Sequence, residues 1–142
     1  MLSMMPPILI VMIVLSVIFD FLNGVHDSSN IVATMIASRA FTPRVALGIT
    51  AISHFVAPFI FGVAVATTIG HEVVSAEAIS LNILIAALLS AIIWNLLTWA
   101  LGIPSSSSHA LIGGMLGAVA IGAGFQAIEL QGMEKILIAL FF

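Results

Sequence analysis

Two short polar stretches interrupt a chain that is otherwise hydrocarbon, and both carry residues capable of chemistry. The stretch Gly102 to His109 reads GIPSSSSH, with Ser105, Ser106, Ser107 and Ser108 directly after Pro104. Pro104 is expected in the first turn of a helix, where its missing N–H costs nothing. The serines then fall in or near the start of a helix that continues through the apolar run Ala110–Ala123. A helix start presents unsatisfied N–H groups and the positive end of the macrodipole, which attract anions. Serine hydroxyls add donors without adding a buried charge. One serine here would be an ordinary cap, or would bond back to a carbonyl. Four followed by His109 exceed what a cap requires, so Ser105–Ser108 and His109 are candidate anion ligands.

The other stretch carries Asp20, Asn23, Gly24, His26, Asp27, Ser28, Ser29 and Asn30. Asn23 and Asp27 are four apart and Asp27 and Asn30 three apart, so a helix would place them on one side. A carboxylate flanked by carboxamide oxygens is a ligand set for a hard cation, or a carrier for a proton. Asp27, Asn30 and Asn23 are therefore candidates for holding a cation or a proton, with Asp27 and Asn30 the ligands if it is a metal ion. In an interfacial loop Asp27 would simply be hydrated. His26 can donate to an anion, relay a proton or bond a neighbouring carbonyl. Asp20 suits a cap or a water-facing position as well as a site. A serine nucleophile with His109 as base is disfavoured, because adjacent helical residues diverge by about 100° and no orienting acid follows.

Of the 142 residues, 62% are hydrophobic and 6% charged, which specifies an integral membrane protein and not a soluble domain. A net charge of −3 with three basic residues leaves nucleic-acid binding without an electrostatic footing. With no cysteine there are no disulfides and no thiolate metal sites. The N-terminus lacks the basic region of a secretory signal and reads as a first transmembrane segment.

The elements that must position these residues are all α-helical. A first helix over 6–38 is too long for a simple span and is expected to break near Asn23–Gly24, since broken helices build ion and substrate sites at membrane depth. Thr42 and Pro43 are an N-cap and first helical position for a span over 43–69, with Pro58 as an expected kink and a lone His54 inside it. Arg39 and Arg44 bracket the preceding connection, so the positive-inside bias places it in the cytoplasm and the N-terminus outside. Gly70, His71, Glu72 and Glu77 form an acidic outer loop. A helical hairpin over 80–123 carries the serine tract at its tip. Its first arm holds Trp94 and Trp99, read as belt or packing residues, and Asn95, whose buried amide needs a partner and is assigned to bracing the polar centre. The second arm contains Gly113, Gly114 and Gly117, which permit close helix contact and suit a re-entrant segment. Gln126–Lys135 reads as a solvated loop before a truncated helix over 136–142, which a partner segment or a longer chain would complete.

Both polar stretches coincide with signatures of a known family. NGVHDSSN with the following IVATMIASRA resembles the N-terminal signature of the inorganic phosphate transporter (PiT) family, similar to GANDVANS or, in bacterial low-affinity permeases, NGxHDxAN. IIWNLLTWALGIPSSSSHALIGG resembles the second signature, WNxxTWxxGLPxSSSHxLIG. The resemblance implies a secondary transporter of two inverted repeats, each with one copy of this pair, and this chain is similar to the first. It implies that Asp27 and Asn30 match the aspartate and asparagine of one signature, and Ser106–Ser108 and His109 the hydroxyl run and histidine of the other. In that family those regions bind phosphate and the coupling cation, which the resemblance implies here too. His26 stands where many sodium-coupled members have asparagine and resembles the proton-coupled bacterial branch.

The expectation is therefore phosphate transport by alternating access, coupled to Na⁺ or H⁺ and without a cofactor. Ser105–Ser108, His109 and His26 would contact phosphate; Asp27, Asn30, Asn23 and Asn95 would serve the cation. The expected partners are the cell-membrane bilayer, a second inverted repeat and a second copy in a homodimer, and this chain alone is not expected to transport. Sulfate or another tetrahedral oxyanion is the nearest alternative cargo. A serine-dependent membrane enzyme is a remoter one, and a structural or channel-like assembly, whose uptake would ignore ion gradients, a third.

Overall fold

The computed structural model describes residues 6–61 and 73–141. These form α1 (Pro7–Ala37), α2 (Pro43–Phe61), α3 (Leu81–Leu101), α4 (Ser107–Gly122) and α5 (Leu130–Phe141), with short 3₁₀ turns at Ala76–Ala78 and Phe125–Ala127. Among the described residues there is no strand; an isolated antiparallel bridge pairs Val74 with Ile128. The helices Pro7–Ala37, Pro43–Ile60 and Leu81–Leu101 are long and apolar enough to cross a membrane.

Pro7 opens α1 behind an extended Pro6, as suits a residue with no N–H to leave unsatisfied. The expected break at Asn23–Gly24 is absent: α1 continues to Ala37 over 31 residues, about 46 Å at the usual rise. The reason is local. A helical glycine costs about 1 kcal/mol but keeps its N–H in the ladder, and no proline follows Pro7 within the helix. Ser28 Oγ bonds to the carbonyl of Val25 at 3.1 Å and so adds to the helix instead of opening it. After α1 the chain turns through Arg39, held at φ 58°, and enters α2 where Thr42 and Pro43 predict it, the Thr42 carbonyl accepting from Ala46 N at 2.9 Å. Helix α2 runs through Pro58 to Phe61, and the remainder of the expected 43–69 span lies outside the described residues, as do Gly70, His71 and Glu72.

Helices α3 and α4 pack antiparallel. Gly114 lies against Ala87 and Ser90, and Gly122 against Ile83. A Cβ on Gly114 would stand 2.7 Å from the Ala87 carbonyl oxygen, so glycine is what lets the two backbones meet. Gly102 ends α3 in the left-handed region (φ 66°). Its N–H reaches the Trp99 carbonyl at 3.1 Å and the next N–H, of Ile103, reaches Thr98 at 2.9 Å. This reverses the chain within five residues, 102–106, before α4 begins. Pro104 therefore sits in the link and not in the first helical turn, because Ser106 takes the N-cap. At 16 residues, α4 is about 24 Å long, short of a hydrocarbon core of about 30 Å.

Helix α1 lies along this pair through Phe19, Ala91 and Ile92, with Leu15, Leu22, Leu88 and Leu111 around them. A separate core joins Val73, Val74, Ile83, Val119 and Ile136. Helix α5 begins at Leu130, six residues before the expected 136, with Glu134 and Lys135 helical and exposed. The polar residues there occupy one face while Met133 and Ile136 pack inward, so polarity marked an amphipathic turn and not a loop. By contrast, Phe55 and Phe59 on α2 are 73% and 79% exposed, an outward face suited to lipid.

Candidate functional site

The start of α4 is the element that carries the serine tract. Ser106 caps the helix, its Oγ accepting from His109 N at 3.4 Å. Ser107 is the first helical residue and is buried, at 3% exposure. Its hydroxyl donates to Asn23 Oδ1 on α1. The two polar stretches, 84 positions apart, therefore meet at a helix N-terminus. Ser105 accepts from Trp94 Nε1 at 3.1 Å, tying the link back to α3.

Several of the other predicted residues whose side chains are described lie elsewhere. Ser106, Ser108 and His109 are exposed. His109 borders a hollow of about 740 Å³ between α3 and α4, which Asn82, Ser90, Trp94 and Gly113 also line. Asn30 is exposed and lines, with His26, Thr98 and Pro104, a recess of about 210 Å³ between α1 and the end of α3. His26 is buried at 7% and also borders a small cavity of about 20 Å³, which it shares with Asn95 from α3. Asn95 is buried at 2%, and neither its carboxamide oxygen nor its nitrogen has a hydrogen-bond partner. Asp27 takes its place in α1 one residue after His26, and its side chain lies outside the described part of the structure. Asp20 is exposed on α1 and His54 on α2.

Thr98 is the residue that sequence reasoning passed over. It is 2% exposed, and its Oγ1 donates to the carbonyls of Trp94 at 2.9 Å and Asn95 at 3.2 Å. Its position one turn after Trp94 and Asn95 was the available signal, since a threonine in an apolar helix bonds back to the preceding turn. Among the described residues no group of three or more metal-ligating side chains is assembled. The arrangement offers instead a buried hydroxyl bonded to a partly buried carboxamide at the positive end of a helix. Such a site suits an anion and a hydrogen-bonding neighbour.

The phosphate transporter family matches residues 23–142 of the chain, a segment that begins at the asparagine facing Ser107. A probable low-affinity inorganic phosphate transporter of Rhizobium meliloti is 43% identical over 129 residues, covering 91% of this chain and 39% of its own length. A Bacillus subtilis protein of the same description is 43% identical over 133 residues, covering 92% of this chain and 40% of its own. One from Streptomyces halstedii is 47% identical over 113 residues, 78% of this chain and 53% of its own. The chain thus spans about two fifths of the first two relatives' length. No solved structure matches it. With both signatures inside the matched segment and three helices suited to a bilayer, the chain is a membrane protein and belongs to the phosphate transporter family.

Proposed function

We propose that the protein carries inorganic phosphate across the cell membrane by alternating access, in symport with H⁺ or Na⁺. The observation that supports this reading is the hydrogen bond from Ser107 to Asn23, which joins the α4 N-terminus to the helix that bears Asp27. Phosphate would dock at the N–H groups and hydroxyls of Ser106–Ser108, with Ser105, His109 and His26 at its margin. The cation or proton would sit at Asp27, with Asn23 and Asn30. A multiply charged anion entering low dielectric alone is very costly, and a bare carboxylate beside it raises that cost. Cation or proton binding at Asp27 removes the conflict.

The Ser107–Asn23 contact supplies a link between the two ligands. A serine hydroxyl has one proton to donate. Given to a phosphate oxygen, it is no longer available to Asn23, whose carbonyl oxygen is then free for the cation. Loading of one ligand thereby prepares the place of the other.

In this reading the α3–α4 pair is a re-entrant hairpin, its tip within the membrane. The N-terminus lies outside, because Arg39 and Arg44 mark the cytoplasmic side. A second, inverted repeat completes the ligand set, and the whole assembles as a homodimer. The family is one of transporters, and the serine tract is read as a ligand set and not as an enzyme's nucleophile.

The test is uptake of radiolabelled phosphate into proteoliposomes containing this chain with the second repeat, under sodium and pH gradients imposed separately. Uptake driven by one of the two gradients, and resistant to excess sulfate, is the expected result. Uptake indifferent to both gradients would remove the symport mechanism, and full competition by sulfate would reassign the cargo.

A further inference from the structure

Trp94 reads in the sequence as a belt or packing residue, and a belt tryptophan sits with its polar edge at the headgroups. The structure gives its N–H a different partner. Trp94 Nε1 donates to Ser105 Oγ at 3.1 Å, across the link 102–106 that joins α3 to α4. The near end of that link is held by backbone, Ile103 N donating to the Thr98 carbonyl at 2.9 Å. Pro104 follows and has no N–H to give. The far end, where the serine tract begins, is tied to α3 by the indole. The turn of α3 that bears the indole is braced in its own right, since Thr98 Oγ1 donates to the Trp94 carbonyl at 2.9 Å.

We infer that Trp94 is a positioning residue for the phosphate site, its indole fixing the sense in which the Ser105 hydroxyl bonds; this rests on the reading of the serine tract as the phosphate-binding element. An indole N–H donates and cannot accept, whereas a hydroxyl has one proton and two lone pairs. With a lone pair of Oγ engaged by Trp94, the Ser105 proton has to go to some other acceptor. A phosphate oxygen accepts it, while a cation would compete with the indole for the lone pairs. Hydrogen bonds in series polarise one another, so the N–H donated to Oγ makes the hydroxyl a better donor. Ser106 is set in the same sense, its Oγ accepting from His109 N at 3.4 Å. Ser107 differs, its proton being given to Asn23. The start of the tract is thereby biased towards donation, which suits an oxyanion. Trp94 acts through Ser105 and not by touching phosphate.

The test is a titration with inorganic phosphate, followed by solid-state NMR in lipid bilayers, with this chain isotope-labelled and the second repeat present. The chain has two tryptophans, so the Trp94 indole signal is assigned by its loss in Trp94→Phe or by sequential connectivity. Saturating phosphate should shift the backbone amides of Ser106–Ser108 and move the Trp94 indole proton further downfield. Ser105→Ala should abolish the indole response. Phosphate affinity should fall several-fold in Trp94→Phe, which keeps an aromatic ring and loses the N–H. Added to Ser105→Ala, the same change should alter affinity by less than about two-fold, because its partner is already gone. An equal loss on both backgrounds means that the ring acts by packing and overturns the inference. An indole signal that stays in place while the serine amides shift also overturns it, and leaves phosphate binding intact. No shift at the serine amides removes the phosphate site and this role with it. Ser105→Ala takes one oxygen from a half-buried residue of the link, so the indole readout stands even where Trp94→Phe does not fold.

Discussion

Ser107, the first residue of α4, donates its side-chain hydrogen bond to Asn23, in the middle of α1. The contact spans 84 positions and brings a helix N-terminus against the helix that carries Asp27. Ser107→Ala should leave the Asn23 oxygen short of its donor and destabilise the protein by about 1–3 kcal/mol. It should also weaken phosphate binding more than cation binding. Thermal unfolding of Ser107→Ala, Asn23→Ala and the double variant checks the first part, because coupled residues give a non-additive cycle. Additive effects would mean that the two side chains act independently.

Asp27→Asn keeps the size of the side chain and removes its charge. Gradient-driven phosphate uptake should be abolished, while folding and insertion should be preserved. Uptake assays with both gradients, on protein shown to be monodisperse in detergent, check this. Wild-type uptake would remove Asp27 from the mechanism.

Neighbouring glycines on α4 should respond in opposite senses. Gly114→Ala drives a methyl group to about 2.7 Å from the backbone oxygen of Ala87, which cannot rotate away. Overpacking of this kind costs typically 1–3 kcal/mol. A Cβ at Gly113 meets nothing within 4 Å, so Gly113→Ala should be neutral or stabilise by up to about 1 kcal/mol through helix propensity. Paired melting curves in one lipid system decide the matter; equal shifts would contradict the close α3–α4 approach.

Loss of the α4 cap should be separable from loss of the buried contact. Ser106→Ala removes the acceptor for His109 N and should cost about 0.5–2 kcal/mol. Ser108→Ala, at an exposed position with no capping role, should stay within about 0.5 kcal/mol of wild type. Chemical denaturation midpoints of the two variants provide the comparison.

Much of the helical order was legible because membrane helices announce themselves by composition. Thr42–Pro43 marked the start of α2, and Gly102 with the serine tract marked the turn from α3 into α4, since each residue's backbone preference acts within its own turn. The start of α5 is hidden in the sequence because Gln131, Glu134 and Lys135 are polar as residues yet lie on one face of a helix. The continuity of α1 through Asn23 and Gly24 is hidden for a related reason. Polar side chains in an apolar run suggest an opening, but the backbone ladder persists wherever each N–H keeps its acceptor.

Sequence by itself determined that this chain lives in a bilayer, that Ser105–Ser108 lead into a helix, and that the amides and acid of 23–30 are the other centre of polarity. Those are properties of composition and of contacts a few residues long. Only the tertiary structure decided that Ser107 of the serine run turns to Asn23, that His109 borders a different hollow, and that Asn95 shares its cavity with His26. Which face of α4 meets α1 depends on where α3 lies, and α3 is placed by how closely Gly114 lets two backbones approach.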